Sequence, residues 1–264
     1  MKPLIVYFII AYLVSWLIWL PLYGHIFRLH DLPVFAFNHA LGGLGPLLAA
    51  FITTLIFSGK QGLRLLLQRS IQVKPFIYFA IALLAPFFLA LLASLIVFIS
   101  DRAPLHLVAL LTNKEFPEWS LLSFFLYNLV FFGFGEEVGW RGFALPRLQA
   151  KSHMLIATII LALLWALWHW PLFFYRPGYV TMGWAGILGW FFSLLTGAIL
   201  LTWLYNVSRG SIFICAIFHS TIDIAFTADF ATGKMVNYLG FLITVWGIAT
   251  AFLLGSRNRF DKNS

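Results

Sequence analysis

The stretch PLIVYFIIAYLVSWLIWLPLY, residues 3–23, is built almost wholly of aliphatic and aromatic side chains and contains no charge. At 1.5 Å per residue, a helix of about 20 residues crosses a hydrocarbon core of about 30 Å. No small-residue cleavage site follows the stretch, so we interpret it as a membrane span and not as a signal peptide. This interpretation predicts the class of fold, a set of apolar helices surrounded by lipid.

The composition of the whole chain agrees with that interpretation. Of 264 residues, 62% are hydrophobic and only 10% are charged, with 29 Phe and 11 Trp. Such a surplus of apolar side chains excludes an ordinary soluble domain. The length fits one bundle, so we expect a single integral membrane domain over residues 1–264. The 17 Lys and Arg are scattered through short loops, which argues against a nucleic-acid partner despite a pI near 9.8.

The hydropathy pattern predicts an all-α, polytopic transmembrane helical bundle of about eight spans. The predicted spans are 3–23, 39–58, 75–100, 119–139, 153–175, 183–207, 211–230 and 235–255. The second and seventh are the weakest, because they contain glycines with a proline and a His-Asp pair, respectively. Between the second and third spans, KQGLRLLLQRSIQVK (60–74) is basic, amphipathic and too short to cross, which predicts a short interfacial helix.

The distribution of basic residues predicts the orientation. With the N-terminus inside, twelve of the 17 Lys and Arg fall in inner segments and five in outer ones. Basic residues concentrate on the cytoplasmic side of membrane proteins. We therefore expect N- and C-termini in the cytoplasm, in an integral protein of the cell membrane. The sequence shows no internal repeat, which argues against an inverted-repeat transporter.

Two adjacent carboxylates form the first cluster of ionisable residues, in GFGEEVGWRGF (133–143). A charge at the bilayer centre costs at least about 2.5 kcal/mol, so such residues are interpreted as functional. Glu137 and Arg141 are four residues apart and can pair on one helix face, whereas Glu136 faces elsewhere. This spacing predicts Glu137 as a structural anion and Glu136 as a general base. The alternative is an interfacial charge cluster that ends the helix and reaches towards water.

Two histidines on later spans form the other clusters. His169 lies in LLWALWHWPLFF (163–174), where Pro171 can open the helix beside the imidazole. The alternative is an aromatic-belt residue at the interface. In ICAIFHSTIDIAF (214–226), His219 and Asp223 share a helix face, so the carboxylate can fix the tautomer of the ring. The alternative is a buried polar pair that joins helices.

Two further predictions concern residues outside these clusters. Asn128 shares a helix face with Glu136 and is a candidate supporting residue. Gly183, Gly186 and Gly189 predict close helix packing.

These three motifs, EExxxR, an aromatic-xxx-His and HxxxD, occur in that order on separate spans. The arrangement resembles the CAAX protease and bacteriocin-processing family, the Abi group of intramembrane endopeptidases, which includes the type II CAAX prenyl endopeptidases. The matching stretches are EEVGWR, WALWH and HSTID, within roughly residues 130–226. Two departures are Trp165, where the family usually has Phe, and Asp223, where it commonly has Asn.

The resemblance implies proteolysis of a membrane-associated peptide or protein, prenylated or not, with the lipid bilayer as the other partner. The catalytic core would lie within about 119–230. The implied catalytic residues are Glu136, Glu137, His169, His219 and Asp223, with support from Arg141, Asn128 and Trp165. Glu136 would activate a water that His169 positions, and His219, oriented by Asp223, would stabilise the oxyanion or protonate the leaving amine.

The cofactor requirement is open at this stage. The family is often described as metal-dependent, and Glu136, His169 and His219 could bind zinc. The favoured hypothesis needs glutamate and histidines alone and no cofactor. On straight helices, moreover, Glu136 would lie about 5–8 Å from the inner interface and His169 about 24 Å, so convergence requires tilting or unwinding. Two other classes of function, a non-proteolytic immunity or scaffold protein and a proton-coupled transporter, would use a similar polar pocket.

Overall fold

The computed structural model describes residues 1–102, 112–228 and 233–260, and side chains as far as Leu254. Within these ranges the chain is helical apart from turns and loops, and no strand longer than one bridge is formed. The helices are α1 (Lys2–Tyr23), α2 (Asn38–Gly43), α3 (Gly45–Ser70), α4 (Phe76–Asp101), α5 (Leu121–Asn128), α6 (Gly135–Glu137), α7 (Leu145–Gln149), α8 (Met154–Trp168), α9 (Trp184–Val207), α10 (Ile212–Thr227) and α11 (Gly233–Phe260).

Seven helical stretches in the described residues are long and apolar enough to cross a membrane, which confirms the predicted fold class. The seventh predicted span, 211–230, corresponds to α10, which has only 16 residues and is not among these seven stretches. Residues 214–221 of α10 are buried without interruption, so this helix lies inside the bundle. A helix surrounded by other helices need not be long enough to span the lipid core. Its polar side chains also cost less free energy than those of a helix that faces lipid. The bundle is therefore that of an integral membrane protein.

The predicted interfacial helix is the second half of α3. Gly59 interrupts α3 with a φ of 61° and a ψ of −162°, and the helix resumes in a new direction up to Ser70. Such dihedral angles are essentially restricted to glycine, so the kink depends on this residue. Beyond the kink, Leu65 and Leu67 are exposed and Leu66 is buried, as expected for a helix at the edge of the bundle.

One end of the bundle collects many of the basic residues. There, Gln72 donates to the Ser208 carbonyl at 3.0 Å, and Arg69 donates to the Tyr205 hydroxyl at 3.3 Å. The N-terminal amine lies beside Lys151 at the same end. Segments 60–74, 145–153 and 208–211 thus lie at the same end of the bundle, as expected if their basic residues all belong to the inner set.

The fourth membrane stretch extends further than the sequence predicted. It runs from Leu121 to Gln149, whereas the predicted span ended at 139. Between α5 and α7 it contains two π-helical turns, Leu129–Phe134 and Val138–Ala144, on either side of α6. The helix continues past Arg141 because that side chain is fully buried. The depth estimate for Glu136 assumed a span that ends at 139, whereas the helical stretch continues past Glu136 to Gln149.

Glycines let neighbouring backbones approach the two π-helical turns. A Cβ at Gly133 would lie 2.4 Å from Ser220 Oγ and 2.7 Å from the Ala216 carbonyl oxygen, so α10 touches this turn directly. By contrast, a Cβ at Gly183 or Gly189 would meet nothing within 4 Å. The packing role predicted for those two glycines was wrong, because no helix of the described residues lies against them.

We expect Gly133→Ala to lower the free energy of unfolding by about 1–3 kcal/mol, because the added methyl group would overlap backbone of α10. Gly189→Ala is the matched control, and we expect it to be neutral or stabilising by up to about 1 kcal/mol. Equilibrium unfolding of the detergent-solubilised variants measures both. Equal stability of the two variants would show that α10 does not approach Gly133 this closely.

Candidate active site

The two glutamates lie on the short α6, between the π-helical turns. π-helical turns occur frequently at functional sites. Glu136 is 4% exposed, and Glu137 and Arg141 are 0% exposed. The alternative of an interfacial charge cluster is excluded, because none of these side chains reaches water at the helix end.

Glu137 forms the centre of a buried ionic cluster. Its Oε1 accepts from Arg141 Nη1 at 2.8 Å and from His219 Nδ1 at 2.7 Å. The predicted pair with Arg141 is thus formed, and a second partner comes from α10, 82 residues further along the chain. Glu137 Oε2 and Arg141 Nε and Nη2 are buried and have no hydrogen-bond partner among the described residues. The cluster therefore has unused hydrogen-bonding capacity on both side chains.

His219 is oriented by Glu137, and not by Asp223 as the spacing had suggested. An ionised carboxylate only accepts hydrogen bonds, so the 2.7 Å contact places a proton on His219 Nδ1. Asp223 Oδ2 lies 3.6 Å from His219 Nε2, which is an ionic contact but too long for a hydrogen bond. The Asp223 side chain is also 32% exposed. His219 Nε2 is consequently the ring atom that remains available to another group.

Glu136 has different partners from Glu137. Its Oε2 accepts from the indole nitrogen of Trp165 at 2.6 Å and from that of Trp140 at 3.1 Å. Both donors are neutral, and no cation of the described residues forms an ion pair with Glu136. One carboxylate oxygen is thus held in place, and Oε1 makes no hydrogen bond to the residues that the structure describes.

Trp165 connects the separate parts of the site. Besides donating to Glu136, its ring lies 4.6 Å from the Arg141 guanidinium carbon, within the range of a cation–π contact. The ring centroids of His219 and His169 lie 5.7 Å and 5.6 Å from it. The Phe that is usual in the family could pack at this position but could not donate to a carboxylate.

His169 lies one helical turn beyond Trp165, at the point where α8 ends. The backbone continues as a 3₁₀ turn, Trp170–Phe174, so the helix changes at Pro171 as predicted. His169 Nδ1 lies 2.8 Å from the Trp165 carbonyl oxygen, and since a carbonyl only accepts, Nδ1 carries the proton. His169 Nε2 is then free to act as an acceptor. In the described residues no hydrogen bond joins His169 to either Glu136 or His219.

Two further residues differ from the expectation. Asn128 donates to the Phe124 carbonyl of its own helix at 2.9 Å and makes no hydrogen bond to a site residue among those described. Trp140 was given no role in the sequence analysis, although it follows Glu136 by four residues. The spacing that identified the pair of Glu137 and Arg141 could have identified this contact as well, because an indole N–H can donate at the same distance along a helix.

The candidate zinc ligands do not form a recognisable metal site. The described ranges contain no group of three or more His, Cys, Asp or Glu side chains that could hold one metal ion. Glu136 Oε1 and the Nε2 atoms of His219 and His169 are the atoms that could still bind a metal, but the described side chains do not bring the three residues together as one cluster. As the side chains stand, Glu136, His169 and His219 do not fit a shared zinc ion, and we derive no step through one.

Comparison with known proteins finds similarity over the part of the chain that contains this site. Residues 118–225 match the family model described as type II CAAX prenyl endopeptidase Rce1-like. A CAAX prenyl protease 2 of Methanococcus maripaludis is 37% identical over 94 residues, which cover 34% of this chain and 34% of that protein. The chain thus matches about a third of the length of this curated relative. These findings confirm the resemblance to the CAAX protease family that the three motifs predicted.

We expect Arg141→Met to lower the free energy of unfolding by about 3–5 kcal/mol, because it leaves the Glu137 carboxylate buried without its cation. Lys234→Met is the control, since its ion pair with Asp101 is exposed and its loss should leave stability unchanged. Adding Glu137→Gln to Arg141→Met should recover part of the loss. Equal effects of Arg141→Met and Lys234→Met in equilibrium unfolding would contradict the structural role of the cluster.

Proposed function

We propose that this protein is an intramembrane endopeptidase that hydrolyses a peptide bond of a membrane-associated peptide or protein, with a water activated by Glu136. The observation that carries the proposal is the difference between two adjacent carboxylates. Arg141 and His219 contact Glu137, whereas only neutral indole donors contact Glu136. A carboxylate whose charge is not shared with a cation is the better proton acceptor of the two.

The first step is attack by water on the scissile carbonyl. Glu136 Oε1 accepts one proton of the water. At the same time the water oxygen bonds to the carbonyl carbon, and the carbonyl oxygen becomes an oxyanion. The indoles of Trp140 and Trp165 fix Oε2, so that Oε1 keeps its direction during the transfer. His169, one helical turn beyond Trp165 and with Nδ1 committed to the Trp165 carbonyl, would accept a hydrogen bond through Nε2 from the same water or from the substrate.

The second step is collapse of the tetrahedral intermediate. The C–N bond breaks, and the leaving amine takes a proton from Glu136 or from His219. His219 Nε2 is the ring atom available for this transfer, because Nδ1 is committed to Glu137. In its protonated form the same atom donates to the oxyanion. Asp223 Oδ2, 3.6 Å from Nε2, would stabilise the protonated ring through an ionic contact between turnovers.

The substrate we propose is a peptide segment anchored in the membrane. The site is buried inside a bundle of membrane-crossing helices, so a bond presented from the bilayer reaches it more readily than one in a folded soluble domain. Because the curated relative is named a CAAX prenyl protease, a prenylated C-terminal peptide is the first substrate to test. We propose an orientation with both termini in the cytoplasm, supported by the basic end of the bundle.

We expect Glu136→Gln to abolish cleavage of fluorogenic membrane peptides without lowering thermal stability, because the amide keeps its acceptor oxygen for the indoles but cannot take a proton. Glu115→Gln, which weakens an ion pair with Arg176 outside the site, is the control and should retain activity. Cleavage is expected to persist with a chelator. Undiminished cleavage by Glu136→Gln would overturn the proposed base, and loss with a chelator would require a metal.

We expect Trp165→Phe to lower kcat by about 10- to 100-fold with KM little changed, because a hydrogen bond to a charged group is worth about 1.5–3 kcal/mol. The ring contacts with both histidines are kept in this variant. Trp190→Phe is the matched control, since its indole donates to the Tyr179 hydroxyl and not to Glu136. If both variants keep full kcat, the indole N–H plays no part in the reaction.

A further inference from the structure

A polar cleft of about 310 Å³ lies at the basic end of the bundle, apart from the residues of the candidate active site. Residues of α3 on both sides of the Gly59 kink and the end of the fourth membrane stretch form its walls. Its polar or conformationally important lining residues are Thr54, Ser58, Gln61, Arg69, Gly142 and Arg147.

The kink at Gly59 builds the cleft. It turns the second half of α3 so that Gln61 and Arg69 face the region around Gly142 instead of continuing along the first half of the helix. The cleft is kept narrow at Gly142, where a Cβ would lie 2.6 Å from Ile212 Cδ1 and 3.0 Å from Leu66 Cδ1. The sequence GKQG (59–62) therefore shapes the cleft, besides connecting the two halves of α3.

Two arginines share this cleft without a carboxylate. Arg147 donates to the Phe143 carbonyl at 2.9 Å and lies over the Phe143 ring at 3.7 Å. Arg69 donates to the Tyr205 hydroxyl at 3.3 Å. No acidic residue lines the cleft, and neither arginine forms an ion pair within the described residues. Each guanidinium has five N–H donors, so most of them remain available.

The positions of the arginines leave a repulsion uncompensated. Two like charges in one cleft repel each other, and no acidic side chain lines this cleft to offset the repulsion. Each arginine is nevertheless fixed there by a contact to protein. An anion in the cleft would remove the repulsion and use the free donors, and the hydroxyl of Ser58 and the amide of Gln61 could contribute further hydrogen bonds.

We propose that this cleft binds a phosphate group, with the head group of an anionic phospholipid as its source. The planar fork of arginine matches the oxygens of a phosphate, which favours phosphate over a halide or a simple point charge. Leu65 lines the cleft and is 52% exposed, and Ile56 nearby on α3 is 64% exposed. These apolar surfaces provide a path for acyl chains beside the head group, and basic clusters at a membrane face attract anionic lipids.

The test measures lipid binding by native mass spectrometry of the purified full chain, so it does not depend on peptidase activity. We expect wild type to retain phosphatidylglycerol in preference to phosphatidylcholine. Arg69→Gln together with Arg147→Gln should weaken retention of phosphatidylglycerol about 10-fold. Arg64→Gln is the matched control, because it removes the same charge from the same helix segment outside the cleft.

Two additional arms keep the result interpretable. Arg69→Gln alone should show part of the loss, and because Arg69 is exposed this variant should fold even if the double variant does not. Inorganic phosphate and glycerol phosphate are added as competitors, and displacement of the lipid by either at millimolar concentration would identify free phosphate as a second source for the same site. Equal retention by Arg69→Gln and Arg64→Gln would overturn the proposal, as would the absence of any preference for phosphatidylglycerol in wild type.

Discussion

The buried carboxylate of Glu137 is the interaction on which the centre of this bundle depends. It joins Arg141 on its own helix to His219 on α10, in surroundings where all three side chains are largely or fully removed from solvent. Removing ions from water is costly, and the cost is offset only when the geometry of the charges is good. Because the ion pair satisfies this condition, the fourth membrane stretch continues as a helix past Arg141 to Gln149.

The same interaction assigns separate chemistry to two neighbouring glutamates. Glu137 is committed to two partners that carry or can carry positive charge, so it acts through His219. Glu136, the preceding residue, accepts hydrogen bonds from the indole nitrogens of Trp140 and Trp165 through Oε2, and its Oε1 makes none within the described residues. A bilayer contains few groups that can donate a hydrogen bond to a carboxylate. Indoles can do so, because they combine one N–H donor with a large apolar ring. In the proposed mechanism, aromatic side chains therefore hold a carboxylate in position as well as contact lipid.

Several parts of this arrangement follow from the sequence because they depend on local spacing. The apolar runs predicted the helices, and the four-residue interval predicted the pair of Glu137 and Arg141. The contact between Glu137 and His219 could not be predicted in the same way, because it joins distant helices whose rotation is set by packing. The extent of the fourth stretch was missed for a related reason, since a charged side chain ends a span unless a buried partner neutralises it. Close helix packing was predicted at glycines at the start of α9. It occurs instead at Gly133, where the backbone of α10 approaches the fourth membrane stretch.

The most direct test of the account is a high-resolution structure of the Glu136→Gln variant with an uncleaved peptide bound in lipid. The account predicts an ordered water within about 2.6–3.2 Å of the side chain at position 136, with the scissile carbonyl within hydrogen-bond reach of His219 Nε2. It also predicts that Glu137 keeps its contacts with Arg141 and His219. A water and carbonyl bound against Glu137 or Asp223, with position 136 facing protein alone, would contradict the assignment of the base.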